Sequence, residues 1–303
     1  MLKRMLKILL TALLFSQLIC IPSYAGLSAH YQNGGEGIKA ATVPPPGFYF
    51  RQYNMFYKSD DLIDANGYTL NNSGFDLTTY AMANRFIWVT DKKLLGADFL
   101  MNAVIPLVYV DFELGSAGIT DDHFGIGDIY IEPFSLAWHG ARYDAALGLC
   151  AYAPTGNADD SRPAYPGKDY WTGMINNGVT LYFDTDKTWS ASVLARYEVH
   201  SEKNNTDIRA GDDFHFEWGI GKTIARLWDV GLTGYCQWQV SDDRGDDVTW
   251  DRSVHDRVYG IGPEVSVFLP NLKLGLTLRN QWEFGAVDRS EGNMTTLVLT
   301  KTF

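Results

Sequence analysis

The sequence predicts an all-β protein, a transmembrane antiparallel up-and-down β-barrel of about twelve strands. Three observations predict this class. Segments of about ten residues alternate apolar and polar side chains, long and short connections take turns along the chain, and the chain ends on a strand that closes with Phe303. Closure into a barrel is expected because an open sheet edge in hydrocarbon would leave backbone N–H and C=O groups without partners, at several kcal/mol each.

The beginning of the chain predicts export. A short basic region precedes an apolar run from Ile8 to Ile21, and Ser23-Tyr24-Ala25 supplies the small residues that signal peptidase reads. Cleavage is therefore expected before Gly26. The predicted organisation is a signal peptide over residues 1–25, a periplasmic N-terminal segment over residues 26–46 and an outer-membrane barrel over residues 47–303.

Composition excludes several classes. The formal net charge of −11 argues against nucleic acid as a partner, because a phosphate backbone attracts positive charge. Cys150 and Cys236 are too few for a scaffold held by disulfides. After the predicted signal no run approaches the roughly 18 to 20 apolar residues of a membrane-spanning helix. The 14% of aromatic residues and the 29 glycines instead suit short strands, tight turns and interfacial girdles.

Alternation is clearest from Trp189 to Glu198, where one face reads Trp, Ala, Val, Ala, Tyr and the other reads Ser, Ser, Leu, Arg, Glu. Trp189 and Tyr197 are expected to lie in opposite interfacial girdles, roughly 20 Å apart along the membrane normal. Alternation is weakest in the first, second and sixth strands. The twelve predicted strands lie near residues 47–58, 75–90, 97–110, 124–137, 143–154, 170–183, 188–199, 213–223, 229–240, 258–268, 272–283 and 293–303.

The connections between these strands predict the topology. Connections after even-numbered strands are short, as at residues 91–96, 139–142, 184–187 and 269–271. Connections after odd-numbered strands are long and polar, over residues 59–74, 111–123, 155–169, 200–212, 241–257 and 284–292. This rhythm is typical of a barrel in the outer membrane of a Gram-negative bacterium, with both termini in the periplasm and the long loops outside. The expected partners are outer-membrane lipid, lipopolysaccharide and the assembly machinery that reads the terminal aromatic residue.

The segment over residues 26–46 admits two interpretations. It is rich in small and polar residues and ends in Pro44-Pro45-Pro46, with no strand pattern of its own. It could fold into the lumen as a plug, or it could hang free in the periplasm. A free segment is the default expectation, because chain termini are poorly ordered unless they dock.

Three short motifs resemble a known family, the outer-membrane barrels named for the meta-pathway of phenol degradation. Gly125-Ile126-Gly127-Asp128 with Glu132-Pro133 is similar to its Gly-x-Gly-Asp strand. Tyr152-Ala153-Pro154-Thr155-Gly156 is similar to its Pro-x-Gly strand end, and Gly262-Pro263-Glu264 to a later strand. The resemblance covers about Gly34 to Phe303 and implies a barrel that admits small hydrophobic or aromatic compounds by passive diffusion. It supplies no catalytic or binding residues.

Charged residues on the polar faces are the candidate pore lining. A symmetric hairpin of the seventh and eighth strands would place Arg196 opposite Glu217 and Glu198 opposite His215. The first interpretation is an ion-pair ladder that closes a narrow barrel, since lumen charges need partners. The alternative is a constriction that sets selectivity. The candidate pore-lining residues are Asp128, Glu132, Arg196, Glu198, His215, Glu217, Glu264 and Arg279.

Other functions remain as alternatives. A general diffusion porin or a purely structural barrel is the first, although porins usually use sixteen to eighteen strands. An outer-membrane lipid hydrolase is more remote, because it needs a Ser and a His on one face and Ser253-Val254-His255 lies in a loop. The acidic run Asp242 to Asp247 lacks the spacing of a calcium loop and predicts a solvated surface facing lipopolysaccharide. No enzyme activity, metal or cofactor is expected.

Overall fold

The computed structural model describes residues 29–159 and 161–303. The predicted signal peptide and its cleavage site lie outside the described residues. Within the described ranges, no helix has the length and hydropathy needed to cross a membrane. The strands are β1 (Gly47–Ile63), β2 (Phe75–Leu94), β3 (Ala97–Leu114), β4 (Ile119–Ile126), β5 (Ile129–His139), β6 (Tyr143–Ala153), β7 (Thr172–Tyr182), β8 (Trp189–His200), β9 (Asp213–Ile224), β10 (Trp228–Gln239), β11 (Arg257–Leu269), β12 (Leu274–Val287) and β13 (Arg289–Thr302), with 3-10 turns at Gly115–Ala117 and Pro270–Leu272.

The sheet closes on itself. Apart from β4 and β5, which do not pair with each other, sequence-adjacent strands pair antiparallel. The ring closes because β1 pairs with β2 on one side and with β13 on the other, from Tyr49 opposite Thr302 onward. The strands β4 and β5 share one position in the ring, because both pair with β3. The described residues therefore form a closed barrel of twelve positions, and the predicted all-β up-and-down barrel is confirmed.

The predicted strand boundaries need three corrections. The predicted long connection at residues 111–123 is a short turn, because β3 and β4 leave only residues 115–118 between them. The predicted fourth strand is interrupted at Gly127 and Asp128, which separate β4 from β5. The predicted long connection at residues 284–292 is a tight turn, because β12 and β13 continue until only Asp288 stands between them. The first and third strands also extend past their predicted ends on the long-loop side, and the second extends past its predicted end on the short-turn side. Lipid restricts the outward side chains only within the thickness of the membrane. The backbone pairing of neighbouring strands can therefore continue beyond the membrane into water.

Along the strands, exposed apolar side chains on the outer face alternate with buried polar side chains on the inner face, as expected of a barrel wall in contact with lipid. In β8 the side chains of Trp189, Val193 and Tyr197 point outward and are exposed, whereas Arg196 and Glu198 are buried inside. The weakly alternating second strand also has a defined facing. Arg85 lines the interior, and Asn84 points outward, where the Gln52 amide donates a hydrogen bond to it at 3.1 Å. Such pairing lowers the cost of polar groups that face hydrocarbon.

The register between β8 and β9 differs from the predicted one by two residues. Arg196 lies opposite His215 and Glu217 lies opposite Leu194. The prediction assumed a symmetric hairpin, but a connection of twelve residues does not fix the register as a two-residue turn does. Because the shift is even, every side chain keeps its predicted face. The expected charge pairs still form, diagonally rather than directly across the ladder.

Candidate functional site

The N-terminal segment lies inside the barrel, and the expectation of a free segment is wrong for residues 29–46. Near the long-loop end, His30 Nδ1 lies 2.8 Å from Oγ1 of Thr172, the first residue of β7. Near the short-turn end, Thr42 Oγ1 lies 3.1 Å from the hydroxyl of Tyr182, the last residue of β7. The segment therefore runs the length of the lumen beside this strand. We call residues 29–43 the plug segment.

Three buried glutamates on the barrel wall hold the backbone of the plug segment. Glu198 accepts hydrogen bonds from the N–H groups of His30 at 2.7 Å and Tyr31 at 3.0 Å. Glu217 accepts from the N–H groups of Gly34 at 2.8 Å and Glu36 at 2.9 Å. The N–H of Ile38 lies 3.3 Å from both carboxylate oxygens of Glu264. Charge-assisted bonds of this kind are stronger than neutral ones, so the segment is anchored at three heights.

Two buried arginines complete these anchors. Arg196 Nη1 lies 2.9 Å from Glu217, and its guanidinium carbon lies 3.7 Å from the centre of the Tyr31 ring. Arg279 Nε donates to Glu264 at 2.7 Å, and its Nη1 donates to the carbonyl of Gly34 at 2.7 Å. The wall charges are therefore paired with each other and with plug segment backbone. Arg279 thereby has both the counter-charge and the hydrogen bonds that a buried ion requires, whereas Arg196 is held by the counter-charge of Glu217 and by the Tyr31 ring.

Close packing between glycines fits the plug segment to the wall. A Cβ added to Gly219 of β9 would lie 2.7 Å from the backbone carbonyl of Gly37. A Cβ on Gly37 would collide with the carboxylate of Glu264. Side chains at either position would push the two backbones apart. The plug segment and the β9 wall are thus in direct backbone contact at mid-lumen.

Glu36 points the other way, toward β1 and β2. Its carboxylate accepts hydrogen bonds from the Tyr53 hydroxyl at 2.6 Å, from Arg51 Nη1 at 3.2 Å and from Arg85 Nη1 at 3.1 Å. Arg51 and Arg85 are direct neighbours across the β1–β2 ladder, and we call them the arginine pair. Arg85 Nη2 also lies 3.5 Å from Glu132 on β5. The plug segment therefore bridges the lumen from β9 to β1.

A cavity of about 680 Å³ remains between the plug segment and the opposite wall. This volume is in the range of sites that bind small organic molecules. Its wall on β1, β2, β3 and β13 is largely apolar, whereas its other side is formed by the plug segment together with charged wall residues such as Arg196, Glu264 and Arg279. The apolar lining side chains are Met55, Leu77, Ala81, Ala83, Val104, Val108, Met294 and Val298.

Two of the motifs noted in the sequence meet at the long-loop end of the lumen. Asp128, at the break between β4 and β5, accepts hydrogen bonds from the N–H groups of Gly156 at 2.8 Å and Lys168 at 2.7 Å. Its Oδ2 lies 3.1 Å from His30 Nε2. A Cβ on Gly156 would lie 2.8 Å from the carbonyl carbon of Gly127. The two glycine motifs therefore fasten the loop after β6 to the wall and to the top of the plug segment.

A polar cluster lies beneath this loop. Glu198, His200 and Asp213 are fully buried, and each offers one ligand atom within 4.8 Å of the others. Thr172 Oγ1 lies 2.8 Å from His200 Nδ1, and His200 Nε2 lies 3.2 Å from Asp213. Burial lowers the pKa of the nearby Lys168 ammonium, against the carboxylates that favour its charge. The ligand set suits a divalent cation in type, but Glu198 already serves as the anchor of the plug segment.

All eight predicted pore-lining residues lie inside the barrel and are buried. Glu198, Glu217, Glu264, Arg196 and Arg279 contact the plug segment, and Arg196, Glu264 and Arg279 also border the cavity. His215 joins them, with Nε2 at 2.8 Å from Glu198 and Nδ1 at 3.0 Å from Asn33. Asp128 also contacts the plug segment through His30. Glu132 belongs to the cavity wall, where Tyr130, Ser135, Asn102 and Asn176 donate to it.

Sequence reasoning missed the site residues Glu36, Arg51 and Tyr53. Glu36 lies in a segment without periodicity, and the first strand has too weak an alternation to assign its faces. Arg85 lies in the second strand, whose alternation is also too weak to assign its faces. No local signal identifies the plug segment anchors, because every residue except proline carries the backbone N–H groups that the glutamates bind.

The residues of the rival hypotheses lie apart from the lumen. Ser253 Oγ donates to Asp251 at 2.7 Å, and His255 Nε2 lies 2.8 Å from Asp242, so Ser253 and His255 each pair with an acid and not with one another. The acidic run is mostly exposed, as expected for a solvated surface. Asp243 is an exception, since it is buried and accepts hydrogen bonds from the N–H of Gly211 and the Trp250 indole.

Comparison with solved structures supports the fold. The crystal structure of the COG4313 outer membrane channel from Pseudomonas putida F1 has 13% identity and a TM-score of 0.77, covering 90% of this chain and 100% of that chain. The transport unit of the autotransporter AIDA-I from Escherichia coli (11% identity, TM-score 0.46, 85% and 90% covered) and a Pseudomonas aeruginosa FadL homologue (10% identity, TM-score 0.41, 91% and 98% covered) are more distant. These likenesses concern architecture alone.

Sequence comparison establishes the family. A search of curated protein sequences returns no match to this chain. Residues 59–298, which include most of the barrel, match the family described as "Putative MetA-pathway of phenol degradation". The closed ring of strands with an apolar outer belt is the fold of an outer-membrane protein of a Gram-negative bacterium. The chain is an outer-membrane β-barrel that belongs to the family described as the MetA-pathway of phenol degradation.

Proposed function

We propose that the protein is a passive outer-membrane channel for small hydrophobic or aromatic molecules. The observation that carries the proposal is the 680 Å³ cavity, which has an apolar wall on β1, β2, β3 and β13. The transfer of an apolar solute from water to such a wall is favourable, by about 25 cal/mol per Å² of apolar surface that becomes buried. Sugars and ions gain nothing there and would have to lose their hydration.

The plug segment gives this channel its selectivity. It binds Glu198, Glu217 and Glu264, so the charges that still border the passage on that side, such as Glu264 and Arg279, already have partners and are less available to a polar solute. A general diffusion porin needs a wide aqueous lumen, whereas twelve strands enclose a narrow one that side chains and the segment largely fill. The family description and the channel with the same fold agree with transport. The proposal includes no catalytic role.

Transport by cells provides the test, because the lipopolysaccharide leaflet is a barrier to apolar solutes and a plain phospholipid bilayer is not. Cells that produce the protein should take up the apolar fluorescent probe N-phenyl-1-naphthylamine several times faster than cells with an empty vector. In liposomes, arabinose should cause swelling at close to the protein-free rate. Fast arabinose entry together with unchanged probe entry would indicate a general porin and would contradict the proposal.

A further inference from the structure

The arginine pair differs from the other lumen arginines in its access to the cavity. The side chains of Arg51 and Arg85 keep 24% and 21% of their surface exposed, against 4% for Arg196 and 3% for Arg279. Both members of the pair line the cavity, and they stand side by side on β1 and β2. Two adjacent guanidinium groups therefore face the proposed solute path on a largely apolar wall, and both are more exposed than Arg289 of β13, which also lines the cavity and keeps 16% of its side-chain surface exposed.

The partners of the arginine pair divide into fixed and movable groups. Arg51 Nε donates to Thr300 at 3.1 Å, and Arg85 Nε donates to Asn102 at 3.0 Å, so each side chain is oriented by the wall. Glu132 is also part of the wall. Among the anions of the described residues that touch the pair, only Glu36 is carried by the plug segment. Its carboxylate is the group that a ligand could replace.

Charge restricts what that ligand can be. A neutral solute that displaced Glu36 would leave Arg51 without its counter-charge and Arg85 with Glu132 alone, at 3.5 Å, which is unfavourable for partly buried guanidinium groups. A carboxylate would restore the same charge and the same planar hydrogen-bonding geometry, since guanidinium groups bind carboxylates through paired N–H donors. The replacement of one carboxylate by another leaves the net charge of the site unchanged.

The cavity also has room for the rest of such a ligand. From Arg85 the lining of β2 continues through Ala83 and Ala81 to Leu77 toward the long-loop end. Eight residues of strand span about 26 Å, or roughly 20 Å along the barrel axis. A ring or short hydrocarbon chain can therefore lie on the apolar wall while its carboxylate reaches the arginine pair.

We infer that Arg51 and Arg85 form a binding site for the carboxylate of a small amphipathic monocarboxylate, which exchanges with Glu36. The passage of such a ligand to the periplasm depends on the proposed channel function, but its binding does not. Exchange would release the side-chain anchor of Glu36 while its backbone N–H stays bound to Glu217. Ligand binding would thus loosen the middle of the plug segment.

Calorimetry on the full chain in lipid nanodiscs tests this inference, with empty nanodiscs as the blank. The probes are 4-phenylbutyrate and the matched alcohol 4-phenyl-1-butanol. Wild-type protein should bind the acid at least tenfold more tightly than the alcohol. Glu36→Gln removes the competing carboxylate and should strengthen acid binding about tenfold without changing alcohol binding. The double variant Arg51→Met/Arg85→Met should weaken acid binding at least tenfold and leave alcohol binding unchanged.

Controls separate this inference from general effects. Lys92→Gln alters an exposed residue near the end of β2 that does not line the cavity, and this variant should behave like the wild type. Heat-dependent migration on gels checks that each variant is folded, and Glu36→Gln keeps the test decisive if the double variant does not fold. Equal affinity of the wild type for acid and alcohol, or weaker acid binding by Glu36→Gln, would overturn the inference. If the wild-type protein binds the acid but cells that produce it take up N-phenyl-1-naphthylamine no faster than empty-vector cells, only the channel proposal is overturned.

Discussion

Deletion of residues 29–43 is expected to raise the single-channel conductance of the protein several-fold in planar bilayers. The plug segment runs the length of β7 and bridges the lumen from Glu217 on β9 to Arg51 on β1, so its removal opens the charged side of the barrel to water. The glutamates that lose their N–H partners would then be hydrated. The strand ladder is complete without the segment, and the barrel should persist.

The comparison needs a folded deletion variant. Heat-dependent migration and a β-type circular dichroism spectrum should match those of the wild type, because the deleted residues contribute no strand to the ring. Arabinose should then swell liposomes that contain the variant but not those that contain the wild type. An unchanged conductance in a folded variant would mean that the segment does not obstruct the lumen.

Glu217→Ala is expected to release the plug segment without shortening it. The change removes the acceptor of the Gly34 and Glu36 N–H groups and of the Tyr31 hydroxyl, and it leaves Arg196 buried without its partner. Breaking a buried ion pair in this way costs about 3–5 kcal/mol. Undocking should expose the trypsin site at Lys39 and raise its cleavage rate at least tenfold, since proteolysis of an opened segment follows the open population.

A matched control is present in the same lumen. Glu283 is also a buried glutamate, but it accepts hydrogen bonds from the wall residues Tyr57, Tyr235 and Gly292. Glu283→Ala should destabilise the barrel wall and leave cleavage at Lys39 at the wild-type rate. Equal acceleration by both substitutions would show general loosening of the barrel and would contradict specific anchoring of the plug segment by Glu217.

The features that could be predicted from the sequence are those that follow from the different surroundings of the barrel wall, with lipid outside and a polar interior inside. Lipid on one side imposes the alternation that assigned Trp189, Val193 and Tyr197 outward and Arg196 inward. The rhythm of connections indicated twelve positions, and the structure has twelve. Facing depends only on the period of two, so it survived the wrong register between β8 and β9.

The features that could not be predicted depend on distant or backbone contacts. The break at Gly127 and Asp128 exists because Asp128 binds the N–H groups of Gly156 and Lys168, far along the chain. Docking of the plug segment depends on backbone N–H groups, which carry no sequence signal. The charged residues were correctly predicted to point into the lumen. The plug segment that most of them contact has no periodic pattern by which the sequence could reveal it.

The position of the solute path can be tested by comparing solute entry through two variants, one with a large side chain on the inner face of the barrel wall and one with it on the outer face. Ala83 lines the cavity on β2, and Ala195 lies on the outward face of β8 beside Phe216. Ala83→Trp should reduce N-phenyl-1-naphthylamine entry to the rate of cells without the protein, because the indole fills the apolar passage. Ala195→Trp should leave entry at the wild-type rate. Equal entry rates for the two variants would contradict a path along the apolar wall of β1, β2, β3 and β13.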